Sequence, residues 1–114
     1  MNDCLFCKIV FGDIPCDKIF ESELLIAFRD IAPVSPTHIL IIPKKHISSL
    51  NEMEDEDRLL AGEMLFCAKK IAKSEKIELS GYRTVINTNN DGGQTVFHIH
   101  MHLIGGRQMD WPPG

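Results

Sequence analysis

The sequence predicts an α+β domain in which a mostly antiparallel, five-stranded sheet surrounds one long helix. Two observations carry that prediction. Five short apolar or alternating runs are punctuated by turn-forming residues, and one long segment carries apolar residues at helical spacing. A third observation bears on function: His98-Ile99-His100-Met101-His102 alternates imidazoles with apolar side chains.

Leu5 to Phe11 reads as a short helix or turn, ended by Gly12-Asp13-Ile14-Pro15. Lys18–Glu21 and Leu24–Arg29 read as strands about a turn at Ser22-Glu23. Ile31–Pro36 holds two prolines and is a loop. His38–Pro43 is a continuous apolar run, the pattern of a buried strand. Residues 54–76 read as the long helix, with Leu60, Met64, Cys67, Ala68, Ile71 and Ala72 on one stripe. Its acidic start, Glu54-Asp55-Glu56-Asp57, and its basic end, Lys69, Lys70, Lys73 and Lys76, complement the helix dipole. Tyr82–Asn87 and Val96–Ile104 are the last two strands, and residues 105–114 form an irregular tail.

The 114 residues contain no internal repeat or linker and read as one domain, 1–114. A net charge of −4 argues against a surface that binds a nucleic-acid polymer, which needs clustered Lys and Arg. Met1-Asn2-Asp3-Cys4 has neither a positive n-region nor an apolar h-region, and no run reaches the ~18 apolar residues of a membrane span. The expectation is a cytoplasmic chain without membrane contact. In a reducing compartment Cys4, Cys7, Cys16 and Cys67 are free or metal-bound rather than paired, and Cys16 and Cys67 read as structural.

Side chains alternate across a strand, so His98, His100 and His102 would share one face while Phe97, Ile99, Met101 and Leu103 line the other. Such a row reads as a metal site, as catalysis by imidazole itself, or as a solvated face or core histidines bonded to carbonyls. His98 and His102 would lie roughly 13 Å apart along an extended backbone, so one tetrahedral ion would not easily reach all three without a bend. A neutral imidazole is a nucleophile and proton carrier near neutral pH. Just upstream, Asp91-Gly92-Gly93-Gln94 lets the backbone approach an anion, with Gln94 and Thr95 as neutral donors. Phosphate facing imidazole suggests phosphoryl or nucleotidyl transfer. Cys4-Leu5-Phe6-Cys7 has metal-ligand spacing, but two cysteines need two further ligands.

His98-Ile99-His100-Met101-His102-Leu103-Ile104 resembles the His-x-His-x-His-x-x motif of the histidine-triad (HIT) superfamily. Phe28-Arg29-Asp30-Ile31-Ala32-Pro33, the run Pro36 to His46, Asp91-Gly92-Gly93-Gln94 and Gly105-Gly106-Arg107-Gln108-Met109 resemble it in the same order. The ending Trp111-Pro112-Pro113-Gly114 resembles the Hint branch of histidine-triad nucleotide-binding proteins. The resemblance implies the HIT fold, with a short N-terminal helix, and a homodimer joined through the long helix and an edge strand. It implies a purine nucleotide substrate of the AMP or GMP type.

By the same resemblance, His100 attacks the α-phosphorus and forms a nucleotidyl-histidine intermediate, its other ring nitrogen held by a backbone carbonyl. His102 would stabilise phosphate oxygens, His38 would complete the network, and His98 is the first histidine of the motif. Asp30 would bind the ribose hydroxyls; Leu5, Phe6, Phe28, Arg29 and Ile31 would surround the base. Asn87, Gly93, Gln94, Thr95 and Val96 would contact the phosphate and leaving group, and Trp111 would reach the partner subunit's site. Several HIT branches hold a structural zinc with a Cys-Cys-His-His set, here Cys4, Cys7, His46 and His98, although the better-known Hint members lack the cysteine pair. Catalysis of this kind requires no metal cofactor.

The activity implied first is hydrolysis of the P–N bond of purine nucleoside 5′-phosphoramidates. Dinucleoside polyphosphate hydrolysis, a nucleotide-binding scaffold with incidental catalysis, and a metalloprotein using the histidine row as ligands are the alternatives. The tail from Gly105 to Gly114 favours the first.

Overall fold

The computed structural model describes residues 3–114. The leader reading of the N-terminus therefore falls partly outside the described residues. Helix α1 (Leu5–Val10) is followed by strands β1 (Lys18–Glu21), β2 (Leu25–Arg29) and β3 (Thr37–Pro43). Helix α2 (Arg58–Ser74) and strands β4 (Tyr82–Val85) and β5 (Met101–Gly105) complete the order. The strands form one antiparallel sheet in the order β1-β2-β3-β5-β4. No helix among the described residues is long and apolar enough to cross a membrane.

Strand alternation divides the core in two. Leu25, Ala27, Ile39, Ile41, Met101 and Leu103 face α2 and pack with Leu60, Met64, Cys67, Ala68 and Ile71, much of the stripe expected from helical spacing. Ile26, Phe28, Leu40 and Ile42 face the other way and pack on Phe6 and Ile9 of α1. Strand β3 is central, so all seven of its residues are buried. This explains why His38–Pro43 reads as continuously apolar rather than alternating.

Two expectations are corrected. The long helix begins at Arg58, because the acidic run enters as a separate 3₁₀ turn, Asp55–Asp57. There Glu54 and Asp57 form a reciprocal capping box, and Lys45 binds Asp57 at 2.7 Å. The last strand covers only Met101–Gly105, not Val96–Ile104, so His98 and His100 precede it. Phe97 is consequently exposed instead of lying on the apolar face. Ile99 still reaches the α2 core, tied by its amide to Ile47 O at 2.7 Å.

Ile41 is fully buried between β2, β5 and α2, whereas Leu79 stands in solvent. Ile41→Ala should cost about 2–5 kcal/mol in urea unfolding, through lost burial and the cavity left behind. Leu79→Ala should stay within about 0.5 kcal/mol of wild type.

Candidate active site

The face of the sheet opposite α2 carries a cleft of about 260 Å³. Leu5, Phe6 and Ile9 of α1 form one wall, Phe28 and Leu40 of β2 and β3 its floor, and Arg29, Asp30 and Ile31 one rim. Thr95, Val96, His100 and His102 line the remainder. Ten of the residues expected at a nucleotide site thus meet here. Asn87, Gly93, Gln94, Trp111, His38 and His98 are not among the lining side chains.

Hydrogen bonds to the backbone fix the ring chemistry of three histidines and, through one of them, of a fourth, with protons assigned from their partners. His100 Nδ1 lies 2.8 Å from the carbonyl of His98 and must donate to it. In the neutral ring Nε2 is then a bare lone pair, and His100 lines the cleft. His38 Nδ1 accepts from the Val34 amide at 3.1 Å, so its proton sits on Nε2. That nitrogen is 2.9 Å from His102 Nδ1 and 3.4 Å from Asp30 Oδ2. His102 Nδ1 therefore accepts, which leaves Nε2–H as its donor. His98 Nε2 donates to Pro43 O at 2.8 Å and leaves Nδ1 bare.

Burial lowers the basicity of His38, a shift partly opposed by Asp30. Burial, assisted by His100 and His38, pushes His102 down to about 4. Phe6 meets His100 edge-on, with ring centroids 5.1 Å apart, and meets Phe28 at 5.7 Å.

His98 also joins a second cluster. Its Nδ1 lies 3.3 Å from Cys4 Sγ, 3.6 Å from Cys7 Sγ and 3.2 Å from His46 Nδ1, while Cys7 Sγ is 3.3 Å from His46 Nδ1. The ligating atoms of these four residues all lie within 4.8 Å of one another. Such spacings fit the edges of a tetrahedron with bonds of roughly 2.0–2.3 Å. The bond from His98 Nε2 to Pro43 O is the outer-shell contact that aims a metal-binding imidazole. The donor set therefore suits zinc, and it is separate from the bare Nε2 of His100.

Several expected residues have structural employment. Gln94 is buried and bonds Ser48 O, Val96 O and the Asn89 amide. The Gly93 and Gln94 amides close the turn onto Asn90 O and Asn89 O. A Cβ on Gly92 would lie 2.5 Å from Thr88 O, and Gly93 has φ +82°, so the turn itself requires both glycines. Among the described residues nothing accepts from the Thr95 or Val96 amides. The Arg29 guanidinium forms a bidentate pair with Glu75 at 3.0 and 2.8 Å. Asp30 Oδ1 accepts from the Ala32 amide at 2.8 Å, and Trp111 is exposed in the tail.

Sequence reasoning missed Ile9, Ile14, Pro15, Cys16 and Leu40 as cleft residues. Leu40 was legible, since it shares strand parity with His38. Ile14-Pro15-Cys16 was not, because a helix-breaking segment carries no signal of what it folds over. Cys16, expected to be structural, is half-buried in the cleft wall, whereas Cys67 lies in the core.

A model of the HIT domain matches residues 12–109. The chain is 51% identical over 113 residues to an uncharacterized HIT-like protein of Synechococcus elongatus, covering 99% of this chain and 98% of that protein. A HIT family hydrolase from Legionella pneumophila superposes with a TM-score of 0.96 at 55% identity, covering 98% of this chain and 100% of the other. A histidine triad nucleotide-binding protein from Candida albicans superposes at 0.81 with 33% identity, covering 96% and 83%.

A depressed histidine pKa means that the unfolded chain takes up the proton first as pH falls. The contribution of His102 to stability is complete above pH 6.5 and is lost as pH drops toward about 4. NMR titration should place its ring near 4, and His102→Asn should flatten the unfolding midpoint between those pH values.

Proposed function

The chain belongs to the HIT domain family, and on that premise we propose that it is a nucleotide-binding hydrolase cleaving the P–N bond of purine nucleoside 5′-phosphoramidates. One observation carries the reading: the 2.8 Å bond from His100 Nδ1 to the His98 carbonyl, which leaves Nε2 bare in a cleft sized for a nucleoside.

The Nε2 lone pair attacks the α-phosphorus, and the bond to the substrate nitrogen breaks. That nitrogen keeps the electron pair, takes up a proton and leaves as the amine. His102 Nε2–H donates to a non-bridging oxygen, its tautomer held by His38 and Asp30. Thr95 and Val96 line the same cleft, and their amides would supply neutral donors there. Water then attacks the nucleotidyl-histidine and gives up a proton to solvent, balancing the one the amine took up. The P–Nε2 bond breaks, its electron pair returns to His100, and the nucleoside monophosphate is released. No metal takes part in these steps.

Phe6, Ile9, Ile14, Phe28 and Leu40 offer the base an apolar slot. They hold a purine by burial and discriminate poorly between purines. Asp30 stands at the rim, and a carboxylate there is suited to ribose hydroxyls. The tail ending Trp111-Pro112-Pro113-Gly114 favours the Hint-like activity over dinucleoside polyphosphate hydrolysis.

Cys4, Cys7, His46 and His98 would hold a structural zinc, cross-linking α1 to the segments before α2 and β5. A homodimer is supported by edge strand β4 and by exposed Leu59, Leu65 and Phe66 on α2, apolar groups that a partner would cover.

Steady-state hydrolysis of an adenosine 5′-phosphoramidate tests the activity. His100→Ala should lose several orders of magnitude in turnover while still binding AMP. Equal rates, or an inactive wild type, would sink the phosphoramidase reading. Metal analysis and sedimentation equilibrium on one purified sample should find zinc stoichiometric with the chain and a mass twice that of the chain. Substoichiometric zinc or a monomer overturns the respective proposal.

A further inference from the structure

Helix α1 belongs to two clusters at once. Cys4 and Cys7 turn their sulfurs toward His98 and His46 at 3.3 Å each. Between them, Phe6 turns toward the cleft, where it meets His100 and Phe28 edge-on. Leu5 and Ile9 of the same helix line that cleft. A six-residue helix is far too short to be stable alone, so its position depends on what grips it.

We propose that Zn²⁺ in the Cys4–Cys7–His46–His98 cluster and nucleotide in the cleft bind with positive coupling, transmitted by α1 through Phe6. This deepens the nucleotide and zinc readings above and rests on them. An ion gripping both sulfurs and both imidazoles ties α1 to the chain after β3 and before β5. The same grip orders the ring that flanks the nucleophile and forms the base wall. Ordering done by one ligand need not be repeated for the second, which is cooperativity without a change of fold.

Coupling between two binding sites is reciprocal, so AMP must tighten Zn²⁺ by the factor with which Zn²⁺ tightens AMP. Zn²⁺ affinity of the wild type is measured by competition with a chromogenic chelator, with and without saturating AMP. AMP should tighten Zn²⁺ by roughly fivefold or more, and calorimetry of AMP with apo- and zinc-loaded protein should return the same factor. Phe6→Leu keeps an apolar side chain but loses the ring edge, and should retain Zn²⁺ while bringing the factor close to one. Unchanged Zn²⁺ affinity with AMP bound overturns the coupling alone, and undiminished coupling in Phe6→Leu overturns its route through Phe6. Failure of AMP to bind at all overturns the nucleotide reading together with this one.

Discussion

The site depends on one constraint: three of its imidazoles are held in a single tautomer by backbone partners that cannot exchange roles, and the fourth takes its tautomer from one of these. A backbone carbonyl only accepts and a backbone amide only donates. The His98 carbonyl therefore forces the proton of His100 onto Nδ1, and the Val34 amide forces that of His38 onto Nε2. His102 inherits its tautomer from His38, and His98 takes its own from Pro43 O. Four rings that could each have adopted two neutral forms are reduced to one arrangement, with a lone pair and an N–H presented where each is useful. Burial keeps His102 neutral at physiological pH, which preserves the arrangement.

The fold makes those backbone partners available. Even-numbered residues of β2 and β3 face α1 and the cleft, while odd-numbered ones face α2. His38 and His102 come to neighbouring positions because β3 and β5 pair with Leu40 opposite His102. The chain before β5 leaves the ladder, and that departure lets the His98 side chain turn toward the cysteines while its carbonyl stays beneath His100. A regular strand from Val96 would have aimed His98 and His100 at the same surface.

Much of this was legible in the sequence, and what was not has physical reasons. The α2 stripe and the β3 run announce their burial through spacing, and both lie where periodicity places them. The Cys4–Cys7 pair and the two histidines could be matched only through a family likeness, since His46 and His98 lie far from them along the chain. The start of β5 is not legible because apolar residues and histidines alternate from Phe97 onward, although among the described residues no partner strand pairs with that stretch. Glu75 gave no signal at all. Its carboxylate caps nothing local and instead reaches across to Arg29 and Thr37.

That last contact sets the electrostatic character of the cleft. Arg29 is the one permanent cation among its lining residues, and its guanidinium is already claimed by Glu75. Asp30 adds a negative charge at the rim. Among the described lining residues no permanent cation is left unpaired, and a phosphate would meet only N–H dipoles on imidazole and backbone. Such a surface does not draw polyanions from a distance, as a basic patch would. On the proposed reading selection falls to short-range fit: triphosphates and nucleic acids would gain no advantage from their extra charge, and a released monophosphate would not be detained by an ion pair.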